Sequence, residues 1–272
     1  MASPNQITAQ QLARLIGTPE CPPIVDLCID EDFALDPRLI PGARRHPFKD
    51  IDGLKALAKD GRLLVYCQKG LKISLGTAAL LRAQGIHTET LVGGQVGWAQ
   101  AELPMVKATA IPPAQFGAGS LWVTRHRPKV DRIACPWLLR RFIDPAAQFL
   151  FVPPGDVEAV AEKFDATPFD IEGVPFSHKG PLCTFDTMLD HFGLSSPPLQ
   201  HLARIVRAAD TNTHDLEPEA AGLLAASLGF SRMYRDDLQQ LEASMGLYDA
   251  FYRWARDATD EGHDWPAATN GR

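Results

Sequence analysis

Cys67 closes the apolar run of "LLVYCQKGLKIS", Leu63 to Ser74, and the polar loop Gln68-Lys69-Gly70-Leu71-Lys72 follows it before a helix begins. A thiol at the carboxyl end of a buried strand, with a helix N-terminus just beyond, suits anion chemistry. Successive backbone N–H groups in such a loop converge on one point, and the helix dipole adds to their field. Gly70 permits close backbone approach, and Lys69 and Lys72 add positive charge. The combination is expected to lower the thiol pKa and to stabilise a thiolate or persulfide. The competing reading is a buried cysteine that merely ends a strand.

A second group of reactive side chains lies downstream. "RHRPKVDRIACPWLLRR", Arg125 to Arg141, holds six Lys/Arg and one acid in a chain of net charge −6. Arg125 and Arg132 flank a strand and a helix start, which suits contact with a small oxyanion. Arg140 and Arg141 read as a solvated helix face. Further on, "FSHKGPLCTFD" places His178, Cys183 and Asp186 close together, and "RAADTNTHD" offers Asp210, His214 and Asp215. Imidazole, carboxylate and thiolate are the usual protein ligands of divalent transition metals. His178, Asp186 and Asp210 form the candidate set for one such ion. Their spacing matches no ligand motif, and each alone reads as a loop or helix-end group.

These residues need elements to hold them. Before residue 107 strands and helices alternate. Thr8-x-x-Gln11 resembles a capping box ahead of Leu12, Leu15 and Ile16. "PPIVDL" and "LLVY" are buried strands, "TETLVGG" is a third, and "ISLGTAALLRAQG" is a helix ending at Gly85. "DGLKALAKDG" reads as a short helix with Gly61 as its left-handed cap. The pattern implies an α/β domain with a mainly parallel sheet over residues 1–106. Residues 107–120, rich in Pro, Gly and Ala, read as a linker. Over 121–258 "SLWVTRH" and "AQFLFVPP" read as strands, and "CPWLLRRFID" as a helix with Pro136 in its first turn. Apolar stripes at steps of three and four run from about Pro197 to Trp254. This half is expected to be α+β and mostly helical, with a loose tail at 259–272. There is no internal repeat.

Composition narrows the function classes. The 272 residues are 45% hydrophobic and 22% charged, an ordinary globular balance whose length favours two domains. The acidic net charge disfavours nucleic acid as the main partner. The first ten residues lack a basic-then-apolar leader, and no apolar run reaches the roughly 20 residues of a membrane span. Five scattered cysteines without a C-x-x-C fit reduced thiols and a cytoplasmic location.

The N-terminal segments together resemble the rhodanese (sulfurtransferase) family over roughly residues 5–105. "IVDLCIDEDF" matches its first strand, "LIPGA" its H-I-P-G-A turn, "CQKGLK" its C-x-x-G-x-R active loop and "LVGGQVGWAQ" its closing G-G-x-x-x-W segment. The resemblance implies Cys67 as the sulfur-accepting nucleophile, with the amides of Gln68, Lys69, Gly70, Leu71 and Lys72 around the persulfide. It implies an orienting role for Asp26. Two positions depart from the pattern: Cys28 replaces the usual Arg two residues after that Asp, and Lys72 replaces the loop's final Arg. Lysine is a point charge and cannot fork onto an oxyanion.

Residues from about Leu121 to Trp254 resemble the chromate-resistance domain at the C-terminal end of ChrB-like proteins. The matching segments are "KVDRIACPWLLRRFIDP", "FLFVPP", "PFDIEGVPFSHKGPLCTFD", "LARIVRAADT" and "LYDAFYRW". In the better-known arrangement a winged-helix-like region precedes this domain; here a rhodanese-like one does, which weakens any carry-over of DNA binding. Two functions follow as expectations. One is a chromate- or oxyanion-stress enzyme, a sulfurtransferase or thiol-dependent reductase acting through Cys67 on a small-molecule sulfur donor or oxyanion. The other is a chromate-responsive regulator that binds metal or oxyanion without catalysis. The oligomeric state is left open.

Overall fold

The computed structural model describes residues 4–115 and 119–262. The first half contains β1 (Gln6–Ile7), α1 (Ala9–Leu15), β2 (Ile24–Asp26), α2 (Asp30–Leu35), β3 (Arg38–Leu39), β4 (Ala43–Arg45), α3 (Ile51–Ala56), β5 (Arg62–Tyr66), α4 (Lys72–Ala83), β6 (His87–Leu91), α5 (Gly94–Gln100) and β7 (Val106–Lys107). Five strands form one parallel sheet in the order β1-β6-β5-β2-β4, and β3 and β7 make a small antiparallel pair. The expected α/β domain is present. The Thr8 capping box forms, with Gln11 N–H donating to Thr8 Oγ1 and Thr8 N–H to Gln11 Oε1. Gly61 has a different job from the one expected. The helix α3 already ends at Leu57, and Asp60 and Gly61, both at positive φ, make the tight turn closed by the Lys59–Arg62 bridge.

Strand alternation divides the sheet's two faces. On β5, Leu63 and Val65, together with Cys67 just beyond its end, join Val25, Leu27, Leu54, Ala78 and Leu81 under α3 and α4. Leu64 and Tyr66 point the other way, into a core that holds Leu12 of α1 and Trp98 of α5 and continues into the second half of the chain.

The second half contains β8 (Leu121–Arg125), α6 (Asp131–Leu138), β9 (Gln148–Val152), α7 (Val157–Phe164), β10 (Thr167–Pro168), α8 (Thr184–Phe192), α9 (Pro197–Asp210), α10 (Ala220–Met233) and α11 (Asp237–Asp257). Its three-stranded sheet is parallel, in the order β10-β8-β9. The mostly helical character expected of 121–258 is present. Pro136 is not in a first turn: α6 starts five residues earlier, at Asp131. The proline lacks the N–H that the helix interior needs, and the helix widens directly afterwards into a π-turn over Leu139–Ile143, where Asp144 N–H donates to Leu139 O at 2.7 Å.

The two halves pack on each other. Gly17, at φ +84°, sits so close to Phe142 and Tyr252 that a Cβ there would stand 2.7 Å from Tyr252 Cε1. Gly42 N–H donates to Phe142 O at 2.6 Å, and Arg256 Nη1 donates to Arg14 O at 2.9 Å. Within 107–120, Ala108–Ala110 form a 3-10 turn, Ala108 and Ile111 pack on the shared core, and residues 116–118 lie outside the described residues. Of the expected tail, 263–272 also lies outside them.

Candidate functional site

Cys67 follows β5 directly and is nearly buried; its Sγ lies 3.3 Å from Ser74 Oγ in the first turn of α4. The N-terminus of α5 holds the loop in place. Gln95 N–H donates to Cys67 O at 3.1 Å and Val96 N–H to Gln68 O at 2.9 Å. Gly70, at φ +66°, turns the loop and touches the backbone of the closing segment: a Cβ there would stand 2.5 Å from Leu91 O and 2.7 Å from Gly94 N. Only a glycine accepts both the angle and the contact. Lys72 is the first helical residue of α4, so its amide and those next to it have no intrahelical acceptor. Lys69, Leu71 and Lys72 are exposed and Gln68 is half-buried. The five loop residues form one short connection from the thiol to α4, and the Gly70 amide, expected to face a bound anion, instead donates to Cys67 O at 3.3 Å.

The neighbouring strand end is tied to this loop. Asp26 is fully buried; its Oδ1 accepts from Cys28 N at 2.9 Å, and Arg45 Nε lies 3.5 Å from its Oδ2. Burial pushes the Asp26 carboxyl above the ordinary range. Arg45 also donates to Cys28 O at 2.9 Å and stacks over Phe33 at 4.0 Å. A guanidinium thus reaches Asp26 from β4, although Cys28 stands where an Arg is usual. Cys28 is buried, contacts Gln95 Oε1 at 3.8 Å, and has its thiol pushed far up by burial and by Asp26. Burial also raises the thiol of Cys21, to about 12, and pushes those of Cys135 and Cys183 up, which favours their protonated forms.

The second half gathers a different set. Asp131 opens α6, Asp170 follows β10, His178 lies in the loop before α8, and Asp210 ends α9. His178 Nε2 stands 3.4 Å from Asp131 Oδ2, 3.5 Å from Asp170 Oδ1 and 3.1 Å from Asp210 Oδ2. Asp131 and Asp170 are buried, while the His178 side chain is 40% exposed. The hydrogen bond and charge of Asp131 push His178 up to about 9. Burial, then the charges of Asp131 and Asp170, push Asp210 up to about 7.

Local strain and a ring of donors hold the cluster. Val130, just before Asp131, has φ +40°, a costly angle for a β-branched residue. Tyr248 Oη secures it by donating to Val130 O at 2.6 Å. Thr184 donates its N–H to Asp131 Oδ2 at 3.3 Å and its Oγ1–H to Asp170 Oδ1 at 3.0 Å.

His178 and Asp210 converge as expected, but Asp186 does not join them. Its Oδ2 accepts from Cys183 N at 3.0 Å at the start of α8, and its Oδ1 lies 3.6 Å from Arg207. His214 turns instead to Asn212 Oδ1 at 3.1 Å. Asp131 and Asp170 take the remaining places. Asp131 appeared in the sequence only as the one acid of a basic run; its position in a helix first turn was the available signal.

Arg125 and Arg132 are also engaged differently from the expectation. Arg125 Nη2 lies 2.7 Å and Arg132 Nε 3.2 Å from the same oxygen, Asp170 Oδ2, and Arg132 Nη1 donates to the carbonyls of Arg125 and His126. Both guanidiniums orient a carboxylate. Arg140 and Arg141 are not a solvated face: Arg140 pairs with Glu242 at 2.5 Å, and Arg141 forks onto Asp249 at 2.8 Å for both bonds.

Comparison with known proteins fits this division. Residues 122–255 match the family model described as ChrB, C-terminal domain. Over 141 residues the chain is 35% identical to Protein ChrB of Cupriavidus metallidurans, which covers 52% of this chain; the chain spans 42% of that relative's length. Among solved structures, a rhodanese-related protein from Thermoplasma volcanium is similar at 18% identity and TM-score 0.32, covering 38% of this chain and 97% of its own. A rhodanese-like domain protein from Staphylococcus aureus is similar at 28% identity and TM-score 0.31, covering 35% and 90%. Residues 122–255 thus match the ChrB C-terminal domain model, and they follow a parallel-sheet α/β domain whose strand-to-helix loop carries Cys67.

Proposed function

We propose that this chain is a chromate- and oxyanion-stress protein in which Cys67 carries sulfane sulfur and the C-terminal domain holds an ion. The observation behind the first part is the Cys67–Lys72 loop, pinned through its carbonyls by Gln95 and Val96 and followed by the unpaired amides of α4. The ChrB-type domain supplies the chromate context.

The chemistry is a double displacement. The Cys67 thiolate attacks the sulfane sulfur of a donor. A new S–S bond forms at Cys67, the donor's S–S bond breaks, and its electron pair leaves with the donor remnant, sulfite in the case of thiosulfate. The anionic outer sulfur of the persulfide then lies among the loop amides, which act as a preorganised anion site. An acceptor thiolate attacks that outer sulfur, restoring the Cys67 thiolate. Oxidation levels balance without an external redox partner. Lys72 gives the loop a single charge rather than a fork, so donors other than thiosulfate, such as small organic persulfides, suit it better.

The test is sulfur transfer to a small thiol from thiosulfate and from an organic persulfide, with wild type, Cys67→Ser and Lys72→Arg. Loss of transfer in Cys67→Ser and a gain on thiosulfate in Lys72→Arg are expected. Undiminished turnover by Cys67→Ser refutes the reading.

A further inference from the structure

Three carboxylate oxygens from three separate elements surround one imidazole nitrogen in the C-terminal domain. His178 Nε2 carries at most one proton, and that proton cannot serve Asp131, Asp170 and Asp210 together. None of the three distances, 3.1 to 3.5 Å, is the roughly 2.7–2.9 Å of a charge-assisted hydrogen bond. The Asp131 and Asp170 distances, 3.4 and 3.5 Å, instead resemble the edges of a coordination polyhedron. Metal–oxygen and metal–nitrogen bonds of about 2.0–2.2 Å place tetrahedral donors about 3.3–3.5 Å apart. Ligand atoms of Asp131, Asp170 and His178 all lie within 4.8 Å of one another.

We propose that Asp131, Asp170 and His178 bind one divalent first-row cation of the Mn²⁺, Fe²⁺ or Zn²⁺ class, with the Asp210 carboxylate beside them, 3.1 Å from His178 Nε2. This deepens the reading of the C-terminal domain as the ion-holding half and rests on it. The donor set is two oxygens and one nitrogen. The imidazole favours a transition metal over Mg²⁺ or Ca²⁺, and the absence of thiolate from the set disfavours soft ions.

Neighbouring residues supply the orienting contacts that metal ligands need. Asp170 divides its oxygens: Oδ2 takes Arg125 and Arg132, while Oδ1 faces His178 and accepts from Thr184. Thr184 N–H steadies Asp131. Charge fits as well. With His178 neutral as a ligand, three carboxylates and two guanidiniums leave one negative charge, which suits a dication. The exposed side of His178 gives the ion its entry.

The test uses the untagged full chain, stripped with chelator and dialysed against Mn²⁺ or Zn²⁺, with bound metal counted by mass spectrometry. One equivalent per chain is expected. Asp131→Asn and His178→Ala, verified as folded by circular dichroism, are each expected to bind at least tenfold more weakly. Cys67→Ser is expected to retain full uptake. Co²⁺ loaded into wild type is expected to show the visible bands of a tetrahedral oxygen–nitrogen site, a readout that does not depend on any variant folding. No uptake by wild type, unchanged affinity in the folded variants, or a sulfur-to-cobalt charge-transfer band overturns the site. Sulfur transfer measured on the same samples separates the two readings. Lost metal with intact transfer removes only the cation site, and lost transfer with intact metal removes only the Cys67 chemistry.

Discussion

Gly70 and Gly94 lie back to back, so that a Cβ on Gly70 would stand 2.7 Å from Gly94 N and one on Gly94 would collide with the carbonyl oxygen of Cys67. Both residues have positive φ, +66° and +57°. The active loop and the start of α5 are therefore in backbone-to-backbone contact, and the position of the thiol depends on two missing side chains. Gly94→Ala meets fixed backbone atoms, which cannot swing away as a flexible side chain would. Expected is a loss of about 1–3 kcal/mol from strain at φ > 0, more if the loop keeps its place, and a sulfur-transfer rate that falls while the rest of the fold survives. Denaturant melts and a transfer assay on the same preparation check it. Wild-type rate and stability in Gly94→Ala would show that the contact does not position Cys67.

Asp249 joins α11 to the helix that carries Asp131. Its carboxylate accepts from Trp137 Nε1 and from Arg141 Nε and Nη2, all at 2.8 Å. Asp249→Ala strands two partly buried donors at once. The pair lies between the exposed and the fully buried limits, so the expected cost is about 2–4 kcal/mol. Asp249→Asn keeps one acceptor and is expected to cost less. Urea unfolding monitored by tryptophan fluorescence measures both, and equal effects of the two variants would contradict the assignment.

Asp26 makes stability depend on pH in a defined direction. Its folded pKa is raised, chiefly by burial, with the bonds from Cys28 and the charge of Arg45 opposing. A raised carboxyl contributes stability that is fully present below the unfolded value of about 3.9 and is lost as pH rises through the folded one. Asp26→Asn removes that loss while its amide oxygen can still accept from Cys28 N. The melting-temperature difference, variant minus wild type, is therefore expected to move in the variant's favour between about pH 4 and pH 7. A difference that stays flat across this window would show that Asp26 is not penalised by burial.

Much of the first site was legible in the chain order. Its parts are local: a strand, a thiol, a glycine at a forced angle and a helix start fall within twelve consecutive residues, Leu63 to Ser74. Local propensity and turn chemistry act over that range. The capping box at Thr8 and the glycine after α4 were readable for the same reason. Gly61 and Pro136 were misplaced because their types fit more than one local role. Only the element boundaries set by packing decided between a cap and a turn, or between a first turn and a helix interior.

The second site was only half legible, and the reason is separation. Asp131, Asp170, His178 and Asp210 spread over eighty residues and share no spacing rule, because the path of the chain between four element ends brings them together. Asp170 and Asp186 flank His178 at equal distances along the chain, yet Asp186 caps the start of α8 and Asp170 faces His178. Arg125 and Arg132 looked like free cations until folding set a buried carboxylate between them. Which face of the first sheet receives the second domain was also a tertiary matter. Leu64 and Tyr66 point toward it, while Cys67 lies on the side of α3 and α4. The sequence by itself determined that this chain carries a thiol loop and a separate supply of metal-type ligands. The tertiary structure decided which ligands meet and that the second domain covers the sheet face opposite the one Cys67 joins, because burial and long-range pairing, unlike turn chemistry, leave no local trace.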